Sequence, residues 1–184
     1  MNAPRNSRPR STRKLAAGEL FEYAVRCLTA RIYSTGDLSA KLRLRAAHIP
    51  DVAATMERLK EIGYVNDARF AESFATARVE NDGFGKARVL NDLRKHRIPG
   101  ELADAAVEQA LEGKSEAELI DAYIERRMPS VAAGGKIEDE RKLASAFRRL
   151  RRAGFTAGPI LDALKRLAAR PEALDDFPGE EVEE

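Results

Sequence analysis

Few residues in this chain are equipped for covalent or metal chemistry. Among its 184 residues there is one cysteine, Cys27, and there are two histidines, His48 and His96. A catalytic thiol needs a neighbouring base, and no His or Asn stands at a recognisable spacing from Cys27, which reads as a helix residue flanking the core. One Cys and two His do not make a zinc set, and a single cysteine closes no internal disulfide. His48 and His96 both fall near the end of a helical pattern, where a cation suits the helix dipole, so capping is the expected role. Gly83-Phe84-Gly85 begins like a dinucleotide-binding fingerprint but lacks the third glycine and a preceding strand, and is expected to be a helix–helix turn. There is no Ser-His-Asp arrangement, phosphate loop or spaced carboxylate pair. The expectation is a chain without a catalytic site, metal or cofactor.

What the chain offers instead is patterned positive charge. With Leu143, Phe147 and Leu150 inward at helical spacing, Arg148, Arg149, Arg151 and Arg152 fan across the remaining arc. One helix pair earlier, Arg88, Arg94 and Lys95 do the same around Val89, Leu90 and Leu93. Such a face is either an ordinary solvated surface or a stripe that meets phosphates or an acidic protein groove, and its recurrence favours the second. Arg69, Arg78 and Lys86 join these seven as candidate residues for binding DNA phosphate or an acidic protein groove.

The elements that carry these residues are helices. Phe21, Val25, Leu28 and Ile32 lie at i, i+4, i+7 and i+11, which predicts an amphipathic helix from Gly18 to about Tyr33. A second helix is predicted from a Ser34 or Thr35 cap to about Ala47 with Leu38, Leu42 and Leu44 inward, and a third from about Asp51 to Ile62. Gly63-Tyr64-Val65-Asn66-Asp67-Ala68-Arg69-Phe70-Ala71 then ends one helix and begins another. Gly63 suits a left-handed cap, Tyr64 is expected to fold back over the last turn, and Asn66 or Asp67 caps the helix that follows. The pattern repeats as Asp67–Asn81 on a Phe70-Phe74-Ala77 stripe, Lys86–Arg97 and Gly100–Leu111. It repeats again as a helix after a Ser115/Glu118 capping box, an Ala/Gly loop from Val131 to Lys136, a helix after Glu138-Asp139-Glu140 closed by Gly154, and Ala157–Ala168. Leu44, Leu93 and Leu150 each stand five residues before Ile49, Ile98 and Phe155. That shared offset argues for a repeat of about 45–50 residues, each of three helices, with no strands.

Composition is that of a helical globular chain, with 43% hydrophobic and 6% aromatic residues and no Trp. No run approaches a membrane span or a signal peptide, so the cytoplasm is the default. The first 14 residues hold five bases and no acid, while 171–184 hold seven acids and no base. The expected organisation is a basic disordered arm (1–17), three-helix repeats at 18–64, 65–112 and 113–169, and an acidic disordered tail (170–184).

The junction 63–71, followed by Gly83-Phe84-Gly85-Lys86 and by Leu93-Arg94-Lys95 before Ile98, resembles the RecX family of regulatory proteins that modulate the RecA recombinase. Asn66 stands where the family usually has an acid, which a capping role tolerates. The resemblance, from about Phe21 to Leu167, implies an all-α, elongated, curved array of three tandem three-helix repeats. It implies a non-enzymatic protein, expected to be a monomer, that lies in the groove of the RecA–DNA filament. Its action would be mainly inhibition of strand exchange and ATP hydrolysis in recombination and the DNA-damage (SOS) response. Single- or double-stranded DNA would be met weakly or within the filament, with no membrane partner. The alternatives are a free-standing helical DNA-binding protein and an adaptor of another helical assembly.

Overall fold

A computed structural model of the chain describes residues 13–132 and 136–174. The expected arm and tail lie mostly outside these residues, as does the middle of the Val131–Lys136 segment. The chain divides into two compact units, one through Asn66 and one from Asp67 onward. The described residues hold ten α-helices and two isolated backbone bridges but no strand. None of these helices is long and apolar enough to cross a membrane.

In the first unit, α1 (Ala17–Ala30), α2 (Thr35–Arg43) and α3 (Pro50–Glu61) enclose Leu20, Ala24, Leu38, Leu42, Val52, Met56 and Leu59. On α1 the buried row is Leu20 and Ala24, and the expected stripe of Phe21, Val25 and Leu28 is only half-buried. The two rows lie one residue apart, about 100° around the helix, and the small Ala24 permits the closer approach. Ile32 falls beyond the end of α1 and is exposed. Ser34 caps α2 by accepting from the Asp37 N–H at 3.1 Å.

The first repeat departs from its expected register. Leu44 is 73% exposed and Ile49 is 57% exposed, whereas Leu93, Ile98, Leu150 and Phe155 are buried. The cause is a long-range pairing. The Leu15 N–H donates to the Arg45 carbonyl at 2.7 Å and the Ala47 N–H donates to the Leu15 carbonyl at 2.8 Å. This bridge ends α2 at Arg43, buries Leu15 and Ala46, and turns Leu44 outward. A similar bridge joins Ile137 to Ala168, and Leu174 is fully buried in a short 3-10 turn. Packed structure therefore reaches beyond residues 17 and 170 into both expected tails.

The chain leaves α3 through Gly63 at φ 74°. The Gly63 N–H donates to the Lys60 carbonyl and the Tyr64 N–H to the Leu59 carbonyl, both at 2.9 Å, the bond pair of a Schellman cap. Tyr64 and Ile62 are both about half exposed, so the ring does not close over the cap, and Val65 supplies the buried contact. The boundary between the compact units falls inside the junction, at Asn66 and Asp67.

In the second unit, α4 (Asp67–Ala77) continues into a π-helical turn (Arg78–Asp82), then come α5 (Lys86–Lys95) and α6 (Gly100–Leu111). Ala71 and Ala75 on α4 and Ala103, Ala106 and Ala110 on α6 are buried in one cluster with Phe70, Val79, Val89, Leu93, Ile98 and Val107. Ala77 is exposed, because the buried row of α4 runs through Ala71 and Ala75 and on to Val79 at i+4 spacing. The rest is α7 (Glu116–Arg127), a one-turn α8 (Pro129–Ala132) at the start of the expected loop, α9 (Glu140–Ala153) and α10 (Ala157–Leu167). Ser115 and Glu118 form the expected capping box, and Asp139 caps α9 by accepting from the Arg141 N–H at 2.9 Å. Phe84 and Leu119 pack against both apolar clusters of this unit and join them.

Candidate functional site

The site begins with two backbones in contact. Gly85 precedes α5 and Gly154 follows α9 at φ 96°. The Gly85 N–H donates to the Ala153 carbonyl at 2.8 Å and the Ala87 N–H donates to the Gly154 carbonyl at 3.3 Å. The Gly83-Phe84-Gly85 turn is thus a place of close backbone approach and not a phosphate cradle. This contact brings the start of α5 beside the end of α9, and an open groove of about 460 Å³ forms between Phe84, Arg88, Tyr123, Ser145, Arg149 and Arg152. Two guanidinium groups stand over the Phe84 ring, Arg88 at 5.2 Å and Arg78 at 5.8 Å.

The structure sorts the candidate cations into two groups. Arg88 and Lys95 do not simply fan into solvent. The Arg88 Nε donates to the buried Asp92 carboxylate at 3.1 Å, Lys95 Nζ donates to it at 2.9 Å, and Arg78 Nε lies 4.0 Å away. Arg78 also pairs with Asp82 at 2.7 Å, Arg149 donates to the Arg127 carbonyl, and Arg151 donates to the Phe155 carbonyl at 3.0 Å. By contrast Lys86, Arg94, Arg148 and Arg152 are exposed with no protein partner among the described residues, and Arg69 is also exposed. Arg88, Arg149 and Arg152 converge on the groove, whereas Arg69, Arg94 and Arg148 do not line it.

Asp92 escaped the sequence reading, although its spacing of i+4 from Arg88 and i−3 from Lys95 is a legible ion-pair signature. Arg126 and Arg127 were missed as well. Arg126 donates to the Glu80 and Asn81 carbonyls at 3.0 and 3.3 Å, and Arg127 reaches Asp82 at 3.2 Å, so α7 braces the π turn from 45 residues away. His96 is half-buried and packs edge-on against Phe70 and Phe74, at 5.3 and 4.8 Å between ring centres. No group of metal-ligating residues occurs among the described residues.

The comparisons with known proteins agree with this architecture. Residues 66–107 match the model of the second three-helix domain of RecX. Across 98% of its length the chain is 31% identical to the regulatory protein RecX of Deinococcus radiodurans, and it covers 80% of that protein. The chain belongs to the RecX family of regulatory proteins. RecX of Trichlorobacter lovleyi is 30% identical over 74% of this chain and 88% of its own length. A RecX crystal structure from Lactobacillus salivarius matches with a TM-score of 0.65 at 17% identity, over 82% of this chain and 96% of that one. That likeness shows the fold, a tandem array of three-helix repeats, and RecX membership makes the chain a regulatory protein and not an enzyme.

The Asp92 hub lies inside the segment matched to the second RecX domain. Burial opposes its charge, and the hydrogen bonds from Lys95 and Arg88 outweigh burial, so the carboxyl titrates below its ordinary value. Such a group adds stability that is complete above the unfolded carboxylate pKa of about 4 and is lost as pH falls through the folded value. Asp92→Asn should therefore cost about 1–2 kcal/mol at neutral pH, the low end for a charge-assisted network whose cations are partly screened. The gap from wild type should narrow below pH of about 4. Urea unfolding at neutral and acid pH checks this; an equal gap at both would mean that Asp92 stabilises by packing.

Proposed function

We propose that this RecX protein acts in the cytoplasm as a monomer that lies in the groove of the RecA–DNA filament and mainly inhibits its recombinase and ATPase activity. The observation that carries the reading is the basic groove of the second unit, where Arg88, Arg149 and Arg152 converge while Arg94 and Arg148 stay unpaired nearby on α5 and α9. Family membership supports the regulatory role, and its resemblance supplies RecA as the partner. Exposed guanidinium groups without carboxylate partners are suited to DNA phosphate and to acidic protein surface.

The test is RecA ATPase on single-stranded DNA titrated with this protein, which should fall to a low plateau. Arg148/Arg149/Arg152→Ala should weaken that inhibition while costing less than about 0.5 kcal/mol of stability at each exposed position. For every phosphate that the variant no longer neutralises, the slope of log affinity against log salt should fall by about 0.7–0.9. Equal weakening on filament and on bare DNA would instead favour a general DNA-binding protein. Unchanged ATPase at saturating protein would refute the RecA reading.

A further inference from the structure

The second unit neutralises much of its stacked positive charge, and the first unit does not. Arg78 and Arg88 stand over Phe84 but answer to Asp82 and Asp92. In the first unit, Arg31 lies 4.3 Å from the centre of the Tyr33 ring, Lys41 lies 5.5 Å from the same ring, and Arg45 lies 5.1 Å from the Tyr23 ring. None of the three has a carboxylate partner among the described residues. Tyr23 and Cys27 sit one turn apart on α1, and Lys41 and Arg45 sit one turn apart across from them on and just after α2. Lys41 shares the Tyr33 ring with Arg31 and acts together with Arg45 on the Tyr23 phenol, so the three cations belong to one patch.

Packing alone does not account for this arrangement. Arg31 and Lys41 bring two positive charges to one ring with no carboxylate between them among the described residues, and Arg45 Nε is buried without an acceptor. Leu or Met at position 45 would fill the space without that orphaned donor. An anion resting across the three cations supplies the missing negative charge, which the planar fork of arginine and the point charge of lysine are both suited to meet. Tyr33 is too buried to stack a base, so the ligand is recognised through its backbone and not its bases.

We propose that the first unit carries a second contact for single-stranded nucleic acid, in which Arg31, Lys41 and Arg45, held on Tyr33 and Tyr23, bind backbone phosphates. The proposal deepens the DNA half of the reading above, and it is tested on bare DNA without RecA, so the two can fail separately. The full chain is titrated with fluorescein-labelled oligothymidylate at several salt concentrations. Arg31→Gln/Lys41→Gln should lower the slope of log affinity against log salt by about 1.4, two single-strand phosphate contacts, while Arg45→Lys keeps the slope. Cys27, the sole cysteine and half-buried beside Tyr23, gives a readout that needs no substitution. Its alkylation by neutral iodoacetamide should slow several-fold when the oligonucleotide is saturating. An unchanged slope in the double variant, an unchanged Cys27 rate at saturation, or no binding at low salt would each overturn the proposal. Binding to the RecA filament that depends on these cations, with none to the oligonucleotide, would assign the patch to an acidic protein surface and overturn it too.

Discussion

Phe70→Ala should lower the unfolding free energy by roughly 3–5 kcal/mol, the range for deleting a buried phenyl ring. Phe70 stands at the start of α4, 8% exposed, stacked on Phe74 at 5.7 Å and met edge-on by His96 at 5.3 Å. The composition of its cluster favours the upper part of that range. Five of the eleven buried residues of its cluster, Ala71, Ala75, Ala103, Ala106 and Ala110, carry only methyl groups, which have no further reach to fill a void. His96 would lose one of its two aromatic neighbours, loosening the end of α5 as well. Denaturant unfolding followed by circular dichroism measures the effect, with Leu44→Ala as the counterpart. Leu44 is apolar and sits at a matching repeat position, yet its exposure sets an expected cost within about 0.5 kcal/mol. Comparable losses in the two variants would mean that burial does not follow the register described here.

Leu44 also marks where local pattern stops being informative. Helices such as Gly100–Leu111 and the Ser115 cap are legible because period and cap chemistry lie within a few residues of one another. The end of α2 is not, because it is decided by Leu15, some thirty residues upstream, pairing with the backbone at Arg45 and Ala47. A repeat offset that holds for Leu93 and Leu150 therefore misleads in the first repeat. On α1 two adjacent rows are both apolar, and the pattern favours the larger side chains whereas the packing favours Ala24.

The site divides along the same line. Clusters of arginine are visible in any sequence, but whether each one is neutralised depends on its neighbours in space. Asp92 was within reach of a helical-spacing argument, whereas the brace from Arg126 and Arg127 to the π turn and the meeting of Phe84, Tyr123 and Arg149 join segments that are distant in the chain. The aromatic support of Arg31, Lys41 and Arg45 sits between these cases: the residues are close in the chain, and their stacking becomes evident only once α1 and α2 are folded together.

Gly154→Ala should be nearly as damaging as the loss of Phe70, for a different reason. At φ 96° an L side chain is strained by about 1–2 kcal/mol before any contact is considered. A Cβ there would also stand 2.3 Å from the Arg88 backbone nitrogen and 2.8 Å from the Gly85 carbonyl oxygen, so the start of α5 must move. Overpacking of that kind adds about 1–3 kcal/mol, for a total of roughly 2–5 kcal/mol. Gly63→Ala separates the two contributions. Gly63 has φ 74° with nothing within 4 Å of its added Cβ, so it should show the strain alone, about 1–2 kcal/mol. Arg88 rides on the displaced segment while Arg149 and Arg152 stay on α9, so the Gly154 variant should also weaken binding to filament under conditions where it remains folded. The Gly63 variant leaves that groove intact and should bind as wild type does. Equal destabilisation by the two substitutions, with binding unaffected by either, would show that the α5–α9 backbone contact yields easily and does not set the spacing of the three arginines.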